Sequence, residues 1–138
     1  MKVVFDLDVL LDVIQERMPH YESSALVLTA ARTGALSSAI PSHGITTIYY
    51  IVKKYDTRAQ AEQVVDWLLK YFMVLSPSTE IFLQARSLQI DDYEDAVVAS
   101  LALNSGTDYI ITRNLADYQT SPVPALSPQT LLDQLSSK

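Results

Sequence analysis

At 138 residues, with no cysteine and a net charge of −6, the chain has the length of one globular domain and lacks thiolate zinc sites, disulfides and cysteine nucleophiles. Hydrophobic residues make up 49% and charged residues 19%, with 3 Gly and 6 Pro, a balance that excludes a disordered or low-complexity chain. The acidic charge excludes a broad basic face for holding nucleic acid, so the chain is read as a single domain, 1–138, whose chemistry depends on where its acids gather.

Val3-Val4-Phe5, closed by Asp6, reads as a buried first strand. From Asp8 to Ile14 the apolar residues Val9, Leu10, Val13 and Ile14 follow a helical stripe, which Met18-Pro19 breaks. A second helix is expected over Tyr21–Thr33, stopped by Gly34. Leu36–Ile40 reads as a second strand ended by Pro41, with Ser42 as N-cap of a helix through Ile45, Ile48, Tyr49 and Val52. Thr57 caps the next helix, Phe72–Leu75 is a third strand, and Ser78 starts a helix to about Ser87. Asp92 opens a helix through Leu101 that Asn104-Ser105-Gly106 stops, and Tyr109–Ile111 is a clear buried strand. Val123–Leu126, flanked by Pro122 and Pro124, is at best an edge strand, and Ser127-Pro128 begins a last short helix. Strands alternating with helices imply a parallel sheet of about five strands covered on both faces. No apolar run approaches 18 residues, and the start of the chain fits neither a membrane span nor a secretory signal, so the expected location is cytoplasmic.

Three clusters of acids stand out: Asp6, Asp8 and Asp12; Asp91, Asp92, Glu94 and Asp95; and Asp117, with Asn114 beside it. Helix capping is a sufficient explanation for Asp92 and Asp95 taken alone, and a turn for Asp117. Topology joins them. Ligands of an open parallel sheet bind beyond the carboxyl ends of its strands. Asp6 and Asn114 follow predicted strands, and the 91–95 cluster starts a helix that must enter from that edge. Unneutralised, such acids repel by roughly 4 kcal/mol per pair at 4 Å and an effective dielectric near 20. A hard divalent cation removes the penalty, and an all-oxygen donor set favours Mg²⁺ or Mn²⁺.

At these residues the sequence resembles the PIN-domain nucleases, particularly the small VapC-like ribonucleases that serve as toxins in bacterial toxin–antitoxin pairs. The resemblance runs through Val4–Asp12, Ile45-Thr46-Thr47-Ile48-Tyr49-Tyr50, Tyr93-Glu94-Asp95-Ala96 and Ile111–Tyr118. It implies a three-layer α/β/α sandwich and cleavage of RNA by metal-assisted phosphodiester hydrolysis, leaving a 5′-phosphate and a 3′-hydroxyl. The family's first acid falls on Asp6, its third on Asp95 and its fourth position on Asn114, with Asp117 close enough to assist. Asp8 stands where the family usually has Asn. The family's second acid, commonly Glu on the third helix, falls on Thr47, which brings no carboxylate; Glu94 is the neighbouring acid that would compensate. The implied Mg²⁺ or Mn²⁺ ligands are Asp6 and Asp95, joined by Asp8, Glu94, Asn114 or Asp117 directly or through water.

Substrate must approach an acidic centre, so cations beside it are needed. Arg113 adjoins the site in sequence, and Lys53, Lys54 and Arg58 form the densest basic run, which a solvated helix end also explains. Ser42, His43, Thr46 and Thr47, at the start of the third helix, are further candidates for contact with the RNA. The resemblance also implies an antitoxin partner, and pairing of two copies through the helix that carries Tyr49 and Tyr50. Phe5-Asp6-Leu7-Asp8 is similar as well to the first motif of haloacid-dehalogenase-type phosphatases, but no lysine follows Lys70 before Lys138 to balance a phosphoryl charge. The alternative carried beside the ribonuclease is a catalytically impaired module of the same fold that binds RNA or protein without turnover.

Overall fold

The computed structural model describes residues 1–137; Lys138 lies outside the described residues. Its elements alternate in chain order: β1 (Lys2–Phe5), α1 (Leu7–Ile14), α2 (Tyr21–Arg32), β2 (Ser37–Pro41), α3 (Ser42–Tyr55), α4 (Arg58–Tyr71) and β3 (Met73–Leu75). There follow α5 (Thr79–Arg86), α6 (Tyr93–Asn104), β4 (Tyr109–Ile111), a 3₁₀ turn at Leu115–Tyr118, β5 (Ala125–Leu126) and α7 (Pro128–Ser136). Among the described residues the strands form one parallel sheet in the order β3-β2-β1-β4-β5. This is the expected α/β/α architecture.

Strand alternation divides the core in two. Val3, Phe5, Ile40 and Ile111 face one side, where α1, α2, α3, α4 and α7 contribute Leu10, Val27, Ile48, Leu68 and Leu131. Val4, Ala39 and Ile110 face the other, against Val98, Ala99 and Ala102 of α6 and Tyr118 of the 3₁₀ turn. Phe5 is fully buried and meets Phe72 edge-on, centroids 5.8 Å apart; burial of such a side chain contributes about 1.5–3 kcal/mol. α6 is apolar nearly all round, with Ala96 through Ala102 buried, because it lies between the sheet and α5.

Side-chain caps fix where the helices begin. Thr57, Ser78, Asp92 and Ser127 each accept from the backbone N–H three residues on. Gly34 and Gly106, with φ of +85° and +68°, turn the chain after α2 and α6. The expected boundaries shift at two sheet edges. Pro41 is the last residue of β2 and itself precedes the first turn of α3, so Ser42 is helical rather than the N-cap; proline's fixed φ suits an extended residue directly before a helix. The edge strand contracts to Ala125–Leu126, because Pro124 has no N–H to donate to the ladder.

The chain builds β1, β2 and β3 in one direction and then returns to place β4 on the other side of β1. The order therefore reverses at the β1/β4 pair, and a crevice opens beyond their carboxyl ends. Phe5 is in register with Ile111, and Asp6 N–H donates to the Ile111 carbonyl at 2.9 Å, so Asp6 and Thr112 leave the sheet side by side.

Gly44 in the first turn of α3 is buried, yet a Cβ there would meet only Leu7 Cδ1 at 3.7 Å, an ordinary contact. Gly44→Ala is expected to raise stability by about 0.5–1 kcal/mol by restricting the unfolded chain. Urea unfolding checks it: a lowered midpoint would mean that α3 tolerates no added volume against α1.

Candidate active site

Asp6 ends β1 and caps α1, and both roles hold its carboxylate at the crevice floor. Oδ1 accepts from Leu7 N–H at 2.8 Å; Oδ2 accepts from the hydroxyls of Thr112 and Tyr118, each at 3.0 Å. Only 7% of the residue is exposed. Burial raises its pKa above the ordinary carboxylate value, against the lowering effect of these donors.

Asp8, in the first turn of α1, turns back to the same place. Its Oδ2 accepts from Arg113 N–H at 3.1 Å and Asn114 Nδ2 at 3.2 Å and lies 3.2 Å from Thr112 Oγ1, whose one proton Asp6 and Asp8 share. Its Oδ1 is buried and has no hydrogen-bond partner. Burial first, and the charge of Asp6 second, push its pKa up to about 6.

Asp95 enters from α6. Asp92 takes the capping role by accepting Asp95 N–H at 3.0 Å, which leaves the Asp95 carboxylate free to turn inward. Its Oδ1 lies 3.3 Å from Tyr118 Oη. Burial, then the charges of Asp6 and Asp92, push its pKa up to about 7. Tyr118 thus stands between Asp6 and Asp95, and a phenol has one proton to give to two acceptors. Burial and both carboxylates raise the Tyr118 pKa, so the hydroxyl keeps that proton.

The remaining expected residues divide. Asn114 is drawn in, with its amide nitrogen on Asp8. Asp117 is exposed on the 3₁₀ turn, near enough for its charge to raise Asp95, and borders an open cleft with Asp91, Asp92 and Thr120. Glu94 faces out of the cluster toward His43, its Oε1 3.3 Å from Nε2 but out of line for a hydrogen bond, since that nitrogen has none. Thr46 donates to the His43 carbonyl of its own helix at 3.2 Å, and Thr47 is half-buried on α3. Arg113, expected beside the substrate, gives its Nε to Asp12 Oδ2 at 2.6 Å.

One participant is not marked as such by the sequence, and one acid of the first cluster takes a different part. Tyr118 ends the Ile111–Tyr118 segment but is one of eight tyrosines, and nothing local marks it as a bridge. Asp12 is fully buried on α1 among Val9, Leu10 and Leu11; an acid inside a buried stripe is the signal that points to a buried cation.

The ligand atoms gathered here are all oxygen, one of them a buried Asp8 oxygen with no hydrogen-bond donor, and the charge of Asp6 repels Asp8 and Asp95. That chemistry fits a hard divalent ion. Among the described residues no group of three or more Asp, Glu or His is placed to hold a metal ion, so an ion here would have two carboxylates at most from this arrangement and would need water or substrate for the rest of its shell.

The model of the PIN domain family matches residues 2–116. The chain belongs to the PIN-domain family. Solved structures agree with this PIN fold across nearly the whole chain. A toxin–antitoxin complex from Klebsiella pneumoniae matches with a TM-score of 0.70 and 20% identity, over 91% of this chain and 97% of that one. DNA-bound VapBC from Salmonella typhimurium matches with a TM-score of 0.71 and 16% identity, over 93% and 98%. VapBC2 from Rickettsia felis, bound to a promoter DNA fragment, matches with 0.68 and 17%, over 92% and 98%. A search of curated proteins finds no significant match. At these identities the PIN domains share a fold, and the chemistry of this one has to be argued from its own side chains.

Arg113→Ala would leave the Asp12 charge buried without its partner, and is expected to cost about 3–5 kcal/mol. Chemical denaturation of Arg113→Ala beside the Asp12→Asn/Arg113→Ala double variant checks this, since the double variant should recover part of the loss. A second expectation concerns pH. Asp8 and Asp95 are raised above the usual carboxylate value, so the folded, ion-free protein binds more protons than the unfolded chain as these groups titrate, up to about pH 7 for Asp95. Their contribution to stability is fully present below the unfolded carboxylate pKa and is lost as pH rises through the folded values. Melting temperature in EDTA is expected to fall between about pH 4 and pH 7, less steeply in Asp95→Asn; an equal slope in the variant would remove Asp95 as a cause.

Proposed function

We propose that this PIN domain is a Mg²⁺- or Mn²⁺-dependent ribonuclease acting in the cytoplasm as the toxin of a toxin–antitoxin pair. The observation that carries the reading is the desolvated Asp6, directly after β1 and beyond the carboxyl ends of β1 and β4, with Asp8 of α1 and Asp95 of α6 each close enough for the Asp6 charge to act on them. All three are desolvated, Asp6 repels the other two, and one Asp8 oxygen is buried without a partner. Structural acids of a helix start have no need of that arrangement.

In this reading Asp6 and Asp95 are the main ligands, with Asp8 offering its free oxygen. A bound divalent ion supplies a lowered pKa for the attacking water and charge neutralisation at the scissile phosphate. The protein's own part is orientation. Thr112 and Tyr118 fix the angle of Asp6, and the Arg113 N–H and Asn114 amide hold one Asp8 oxygen while the other is buried without a partner. Tyr118 couples the two main ligands: when its proton goes to Asp6, the Asp95 oxygen is left without that donor and is more open to a cation. Asp117 and Glu94 lie at the margin, where water-mediated contact is the geometry open to them, and His43, Thr46 and Thr47 line the approach along α3.

Support for a protein partner comes from the relatives solved as toxin–antitoxin complexes; a protein that covers the acidic crevice would silence it. Support for a second reading, a PIN module that binds RNA or protein without turnover, comes from Thr47 in place of the expected acid and from the open donor set.

Cleavage of a mixed RNA pool with Mn²⁺, Mg²⁺ or EDTA separates the two. Cutting should require the metal. Asp6→Asn and Asp95→Asn should each lower it by more than about 100-fold, while Asn114→Ala falls in the roughly 10–100-fold range of groups that position metal ligands. A folded wild type that cuts nothing with either metal would favour the binding module, and cutting that survives both Asp variants would reject the site.

A further inference from the structure

An acidic PIN domain that acts on RNA must hold the rest of its substrate somewhere away from its carboxylates. α3 runs outward from the crevice. Residues 43, 47, 50 and 54 are separated by four, three and four positions, so they share one face of the helix. His43 at the inner end is close enough to Asp6 to act on its charge and sits beside Glu94. Thr47 follows, then Tyr50, whose ring is on a residue 63% exposed. Lys54 ends the face, its Nζ 5.9 Å from the Tyr50 ring centroid and 5.4 Å from that of Tyr55, and Lys53 flanks it one position round the helix. At about 1.5 Å per residue the stripe extends about 16 Å from His43, the reach of a few nucleotides.

Charge identifies the occupant. The chain has 10 basic residues against 16 acidic ones, and several cations are already engaged: Arg113 with Asp12, Arg58 with Glu62, and Lys2 with the Ser105 carbonyl. Among the described residues neither Lys53 nor Lys54 is in a salt bridge. Adjacent unneutralised lysines beside an exposed aromatic ring match the two demands of single-stranded nucleic acid, an anionic backbone and flat bases that stack.

We propose that this face of α3, from His43 through Thr47 and Tyr50 to Lys54, with Lys53 at its margin, is the track that holds single-stranded RNA leading into the carboxylate site. The proposal rests on the ribonuclease reading for the direction of the strand, and adds to it where the substrate lies and which residues grip it. Tyr50 stacks on a base; Lys53 and Lys54 contact backbone phosphates.

The test is fluorescence anisotropy of a labelled single-stranded RNA of about twelve nucleotides in EDTA, with the intact wild-type chain, Lys53→Ala/Lys54→Ala, Lys53→Arg/Lys54→Arg, Tyr50→Ala and Tyr50→Phe. Sedimentation and circular dichroism of each variant report assembly and folding. The lysine-to-alanine pair should weaken binding by about tenfold and lower the slope of log affinity against log salt by roughly 1.4, the share of two phosphate contacts on a single strand. The arginine pair should restore both. Tyr50→Ala should weaken binding by about tenfold or more, whereas Tyr50→Phe retains it. Equal affinity and slope in wild type and the alanine pair overturn the proposal, as does a change from dimer to monomer with RNA affinity unaltered, which would make the face a contact between two copies. Loss of binding in the alanine pair but not the arginine pair supports the track even if wild type cuts no RNA with Mn²⁺, a result that would fall on the ribonuclease reading alone.

Discussion

Carboxylates that are out of water and close to one another are the constraint around which this molecule is arranged. Asp6, Asp8 and Asp95 each have reason to leave the crevice, and each is kept there by elements that serve the fold. β1 delivers Asp6 at a point where it must also cap α1. α1 returns Asp8 in its first turn, and Asp92 takes over the cap of α6 so that Asp95 is free. Apart from the Leu7 N–H on Asp6, the donors that hold Asp6 and Asp8 come from Thr112, Arg113, Asn114 and Tyr118, all in the segment after β4. The segment after one strand therefore positions the acids that follow another, and the parallel β1/β4 pairing is what brings the two together.

The second arrangement is the Asp12–Arg113 pair. Arg113 stands in the middle of the donor segment, and its side chain runs to a fully buried acid on α1 while its backbone N–H reaches Asp8. One residue thus ties the loop after β4 to α1 at two levels. The electrostatic cost of burying Asp12 is offset by a single charge-assisted hydrogen bond, whose energetic role is to hold the loop in one place rather than to add net stability.

Much of this was legible in the sequence because it followed from local chemistry. An acid directly after an apolar strand, an Asp three residues after another Asp at a helix start, and a polar run after Tyr109–Ile111 each announce a sheet edge or a cap, and the alternation of elements brings those edges together. Thus Asp6, Asp8, Asp95 and Asn114 could be read together. What remained hidden depends on pairs far apart in sequence. Tyr118 acquires its meaning from a 3₁₀ turn that points it between two acids, Arg113 from an Asp 101 residues away, and Glu94 from His43 on a different helix. The helix start at Ser42 moved for a related reason: hydrogen bonding of β2 to β3 carries the strand as far as Pro41.

The strand order also sets when the site can exist. β1 comes first of the five strands, yet its neighbour on the crevice side is β4, and the contact between Asp6 and Thr112 spans 106 residues. A chain emerging from the ribosome with β1, β2 and β3 in hand has an unpaired β1 edge and none of the hydroxyl and amide donors that orient the acids. Long-range pairing of this kind forms late. In the ribonuclease reading, that delay keeps the nascent chain harmless to the message and the machinery producing it until the donor segment after β4 has been made.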